Sequence, residues 1–133
     1  MNARITWKLF LDVSSATKAT KIAKRFAETI GPDVRTGEPE PYVKGRARYK
    51  VVARAEMNEN SPGDALFKIL QANLRIAGAW IVAGPNDGDG IWEVAGSASP
   101  GTLRIQGIDS AEFDAEFSYK SVSELTEKIV ALA

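Results

Sequence analysis

The sequence predicts an α+β fold, an antiparallel sheet with helices on one face. Three observations carry this: strand-like alternation at both ends of the chain, two well-capped amphipathic helices, and an order of elements that returns to strand after each helix. The order is strand, helix, strand, strand, helix, strand, then a hairpin extension and a short terminal helix. The first six elements match the split β-α-β order of ferredoxin-like folds.

Residues 3–12 open the pattern. Ile5, Trp7, Leu9 and Leu11 share one face of a strand, with Thr6, Lys8 and Asp12 on the other. Phe10 breaks the polar side, which predicts some cover there too. Ser14 and Ser15 offer a cap to a helix that runs to Ile30 with Ala19, Ile22, Ala23, Phe26 and Ile30 as its apolar stripe. Gly31-Pro32 stops it. The stretch from Val34 to Val43 reads as a weak strand, and its prolines, Pro39 and Pro41, assign it to an edge or an extended arm. Residues 47–57 alternate better. Tyr49, Val51, Ala53, Ala55 and Met57 point one way, and Arg48, Lys50, Arg54 and Glu56 the other.

Asn60-Ser61-Pro62 starts the second helix, predicted to turn Leu66, Ile69, Leu70, Leu74 and Ala77 inward and to close at Gly78. Trp80 to Ala83 reads as a short buried strand ending at Gly84-Pro85. The loop from Asn86 to Gly90 leads into a strand over Ile91 to Ala98, followed by a turn at Ser99-Pro100-Gly101. Residues 103–108 are expected to pair briefly. From Ala111 to Tyr119 the pattern alternates again, with Glu112, Asp114 and Glu116 on the polar side. Ser121 to Glu124 reads as a capping box for the terminal helix. With 133 residues, no internal repeat and no linker, the whole chain, 1–133, is expected to form a single domain.

Composition narrows the chemistry. Apolar residues make up 44% and charged residues 26%, an ordinary globular balance. No apolar run reaches the ~20 residues of a membrane span, and the first residues do not follow a signal-peptide pattern, so a cytoplasmic location is expected. There is no His and no Cys. Ser-His-Asp and Cys-His catalysis are therefore excluded, along with the usual zinc, haem and iron–sulfur ligand sets. Carboxylate, Lys, Tyr and oxygen-ligated magnesium chemistry stay open. No cofactor is expected.

Two fragments imitate motifs. Ser15-Ala-Thr-Lys18 fits the S-x-x-K pattern of serine acyl-transferases but lacks its partner motifs, and reads as a helix cap with a solvated lysine. Asp87-Gly-Asp89-Gly90 has acidic residues of a calcium loop without its spaced oxygens or closing Glu, and reads as a turn. No dinucleotide fingerprint or phosphate-binding loop is present.

A net charge of zero hides an asymmetry. Residues 1–57 hold twelve Lys/Arg against six Asp/Glu, and residues 58–133 hold five against eleven. The basic stretch from Lys44 to Arg54 does not show the aromatic pattern of single-strand binders, so nucleic acid is not an expected partner. Basic Arg48, Lys50 and Arg54 and acidic Glu112, Asp114 and Glu116 each line one face of a strand. As sheet neighbours they would pair with one another; apart, they would present a basic and an acidic ladder to partners. Trp7, Trp80 and Trp92 are expected in the core, with Trp92, behind a glycine-rich loop, also a candidate for an interface.

Taken together, the strand from Trp80 to Pro85, the strand Trp92-Glu-Val-Ala-Gly96 and the segment from Gly107-Ile108 to Phe113 resemble small bacterial α+β proteins, a mostly uncharacterised group. Some of that group act as immunity proteins, neutralising a toxin by binding it. The resemblance implies a protein-binding module of immunity or regulatory type. A protein partner or self-association, as a homodimer through an edge strand or the sheet face, is the expectation. The candidate partner-binding residues are Arg48, Lys50, Arg54, Trp92, Glu112, Asp114 and Glu116. The alternative is a small-molecule-binding domain or carboxylate-based enzyme with a pocket between sheet and helices.

Overall fold

The computed structural model describes residues 2–88 and 90–118. The expected terminal helix, Tyr119 and Asp89 lie outside them. The elements are β1 (Asn2–Leu11), α1 (Ala16–Ile30), β2 (Arg35–Thr36), β3 (Glu40–Lys44), β4 (Ala47–Asn58), α2 (Pro62–Ile76), β5 (Ile81–Gly88), β6 (Ile91–Ala98) and β7 (Ile108–Ser118). All strands join one antiparallel sheet in the order β2-β4-β1-β7-β6-β5, with β3 sharing the outer edge of β4 with β2. The fold class is thus α+β, with a seven-stranded sheet and two helices among the described residues, more strands than a simple ferredoxin-like fold holds. The place beside β1 belongs to β7. The strand that follows α2 lies at the far edge, reached by the meander β5-β6-β7.

The local chemistry explains the helices. Ser15 and Ser61 are both extended, and their Oγ atoms accept hydrogen bonds from the amides of Lys18 (3.2 Å) and Asp64 (3.1 Å). Ser15 is therefore a cap, and Lys18 turns its ammonium to Ser14 Oγ at 3.1 Å. Pro62 occupies the first turn of α2, where a missing amide hydrogen costs nothing. The apolar sides of β1, β4 and β7 meet both helices in one core: Ile5, Trp7, Leu9, Leu11, Val51, Phe113 and Phe117 against Ala19, Ala23, Phe26, Ala65, Ile69 and Ile76. Trp7 stands at its centre, edge-on to Phe26 with ring centroids 5.5 Å apart. Both helices thus cover the same face of the sheet.

Three expectations are corrected. The inward face of α2 is Ala65, Ile69, Asn73 and Ile76, about one position round from the predicted stripe; Leu74 is 53% exposed and Leu66 and Leu70 only half-buried. The reason is Asn73, 1% exposed, which Trp7 and Trp80 hold in place. Its Oδ1 accepts from Trp7 Nε1 (2.9 Å) and its carbonyl from Trp80 Nε1 (2.8 Å), while its Nδ2 has no partner among the described residues. Second, the strand after Trp80 is exposed along its whole length, because it is the sheet's last strand, and it continues past a break in register at Gly84-Pro85 to Gly88. Third, residues 102–106 form a strap rather than a strand, apart from a bridge between Leu103 and Ala77. The strap ties down the end of α2. The amide of Arg104 donates to the Ile76 carbonyl, its Nε to the Leu74 carbonyl, and the Gly78 amide to the Thr102 carbonyl. Carbonyls that a helix end leaves free are thereby satisfied.

Gly96 has no room for a side chain. A Cβ there would fall 2.6 Å from the Phe113 ring and 2.7 Å from the Ile81 carbonyl. Among the described residues no helix is long and apolar enough to cross a membrane.

Candidate functional site: the open sheet face

The face opposite the helices is uncovered among the described residues. Because side chains alternate, the register fixes what stands there. One row crosses the sheet as Glu56, Arg4, Glu116, Glu93 and Asn86, from β4 to β5. The next reads Arg35, Arg54, Thr6, Asp114, Ala95 and Ala83, from β2 to β5. The third is Val52, Lys8, Glu112, Ser97 and Ile81, and the fourth Glu40, Lys50, Phe10 and Ser110. The half of the face on β2, β4 and β1 thus carries Arg35, Arg54, Lys50, Lys8 and Arg4 against Glu56 alone. The half on β7 and β6 carries Glu112, Asp114, Glu116 and Glu93.

Of the sequence-predicted residues, Lys50, Arg54, Glu112, Asp114 and Glu116 come together on this face. The basic and acidic strands are not neighbours, since β1 runs between them and puts Thr6 between Arg54 and Asp114. Only Arg4 and Glu56 form an ion pair on the face among the described residues, at 3.7 Å with both side chains about four-fifths exposed (78% and 80%). Such a pair contributes little to stability. Lys50 instead lies 5.6 Å from the Tyr42 ring centroid, and Tyr42 packs on Phe10 at 5.3 Å. That contact supplies the cover that Phe10 predicted, leaving it 7% exposed.

Relief follows charge. The basic half is built from long side chains, whereas β5 and β6 offer Ala83, Ala95, Gly96 and Ser97. A groove of about 400 Å³ lies over these small residues, walled by Thr6 and Lys8, Glu112 and Asp114, and Ile81. Ile81 is 74% exposed.

Two predicted residues lie elsewhere. Trp92 is on the helix-covered side, opposite Phe117 in the register, and is half-buried. Arg48 stands at the end of the sheet, where it lines a cleft of about 720 Å³ with Lys18, Lys21 and Arg25 of α1 and with Asp12 and Asp109. The lysines and arginine of α1 read in sequence as a solvated helix face, and only the fold brings them to Arg48. Among the described residues no group of three or more His, Cys, Asp or Glu side chains is placed to hold a metal ion. No protein-family model, curated protein or solved structure matches this chain.

Proposed function

We propose that this protein is a non-enzymatic binding module of immunity or regulatory type, acting in the cytoplasm, with the open sheet face as its docking surface. The observation that supports the reading is the face left uncovered by the described residues, polarised into basic and acidic halves whose charges are largely unpaired among those residues. Charges placed this way steer and orient a protein partner more than they stabilise the fold. The fold reading that goes with it is a ferredoxin-like split β-α-β frame enlarged by the β5-β6-β7 meander, which carries no function of its own. The test is affinity capture with immobilised protein and with its Arg54→Glu and Asp114→Lys variants. A protein retained in stoichiometric amount by the wild type and lost by both variants supports the reading. Capture that is equal for all three counts against it.

A second reading, small-molecule binding or carboxylate chemistry, is favoured by the cleft at the sheet end. Lys18, Lys21, Arg25 and Arg48 outnumber Asp12 and Asp109 there, which suits an anionic ligand. Thermal stabilisation by inorganic phosphate or pyrophosphate, abolished in Lys21→Gln and Arg48→Gln, would support it. Equal melting with and without these anions would remove it.

A further inference from the structure

Resting on the reading of the open face as a docking surface, we propose that its occupant is a second copy of this chain, packed face to face about a two-fold axis parallel to the strands between β1 and β7. Three observations carry this. The first is symmetry. In the sheet order, with β3 beside β2 on the outer edge, the boundary between β1 and β7 has three strand positions on each side. A two-fold axis there sets β1 over the partner's β7, β4 over its β6, and the β2–β3 edge over its β5. An isologous contact of this kind needs a surface that complements itself.

The second is charge. The axis keeps each row at its own level along the strands. Lys8 then faces Glu112 of the partner subunit, and Arg4 faces Glu116 of the partner subunit. Arg54 lies over Ala95 of the partner subunit, next to Asp114 of the partner subunit. One row opposes like charges, Glu56 against Glu93 of the partner subunit, and there Glu56 has Arg4 of its own chain at 3.7 Å. An axis perpendicular to the strands would instead lay basic β1 on basic β1, which like-charge repulsion disfavours.

The third is shape. Packed sheets stand about 10 Å apart, and side chains from both faces must fill that space. Ala83, Ala95 and Ser97 leave a hollow of about 400 Å³, and the same axis lowers the long side chain of Arg54, with Val52, onto it. Charge and bulk thus select one orientation independently.

The experiment is sedimentation velocity on the full chain at low and high salt, with Arg54→Glu and Asp114→Lys made separately. The wild type is expected to be a dimer whose dissociation constant rises with salt. Each single variant is expected to weaken self-association about tenfold or more, because each puts like charges together twice per dimer. Mixing the two variants is expected to restore a heterodimer. At one contact the glutamate introduced at position 54 then meets the lysine introduced at position 114. At the other, the native Arg54 meets the native Asp114 of the partner subunit. That recovery also shows that both variants fold. A monomeric wild type overturns the inference, as does a dimer indifferent to either reversal or a mixture that stays monomeric. A monomer that still captures a different protein through Arg54 and Asp114 overturns self-association while leaving the reading of the face in place.

Discussion

The two faces of this sheet use the same alternating strands for opposite ends. On the covered face, β1 contributes Ile5, Trp7, Leu9 and Leu11, all essentially inaccessible, and every neighbouring strand answers with an apolar residue. On the open face the same strand contributes Arg4, Thr6 and Lys8, and its neighbours answer with charge at every one of these positions except Val52. The covered face therefore holds the free energy of folding. The open face is free to be shaped by something outside the fold, because changes there cost little stability. In a chain without His or Cys, the face that folding does not use is the place to look for function.

The contrast can be broken most forcefully at Trp7. Trp7→Ala removes the ring at the centre of the core and is expected to cost about 3–5 kcal/mol, measured by urea unfolding. If the loss were below 1 kcal/mol, the covered face would not be the seat of stability. Phe10→Ala tests the one place where the open face behaves like the covered one. Its ring is nearly buried beneath Tyr42, so a loss of about 3 kcal/mol is expected, in clear excess of its neighbours on the same face.

Asn73 probes the same contrast from the other side, as a polar group inside the apolar layer. Asn73→Ala leaves the Trp7 indole N–H without its acceptor and is expected to cost about 1–3 kcal/mol. In a Trp7→Phe background the cost should shrink, and a double-mutant cycle on melting curves would reveal an unaltered cost if the hydrogen bond were unimportant. The smallest effect is expected for Arg54→Ala, within about 0.5 kcal/mol of wild type by urea unfolding at a protein concentration low enough to keep the chain monomeric. A large destabilisation there would mean that the open face supports the fold after all.

How far the sequence could be read depended on how local the signal was. The faces of β1, β4 and β7, the serine caps at Ser15 and Ser61, and the edge position of the proline-bearing segment around Pro41 all follow from periods and side chains within a few residues. The orientation of α2 does not. Leu70 and Leu74 offered a plausible stripe, and only the partners Trp7 and Trp80, distant in sequence or beyond the helix, turn Asn73 inward instead. The exposure of β5 was hidden for a similar reason. Trp80-Ile81-Val82-Ala83 has the composition of a buried strand, and nothing within it reveals that it ends the sheet. The charged ladders were legible strand by strand, but their separation depends on β1 coming between them. The cleft around Arg48 draws on α1, β4 and the residues before β7, a convergence that no segment announces alone.

Both borders of the sheet carry a proline. One has Pro41 in β3, paired to β4, and the other has Pro85 within the irregular part of β5. A proline offers no amide hydrogen, so each border is a poor template for a further strand. Lateral polymerisation, the usual hazard of a long solvent-facing strand, is thereby discouraged at both margins. The face-to-face pair proposed above, which is closed by its two-fold axis, is thus the form of assembly that these margins leave open.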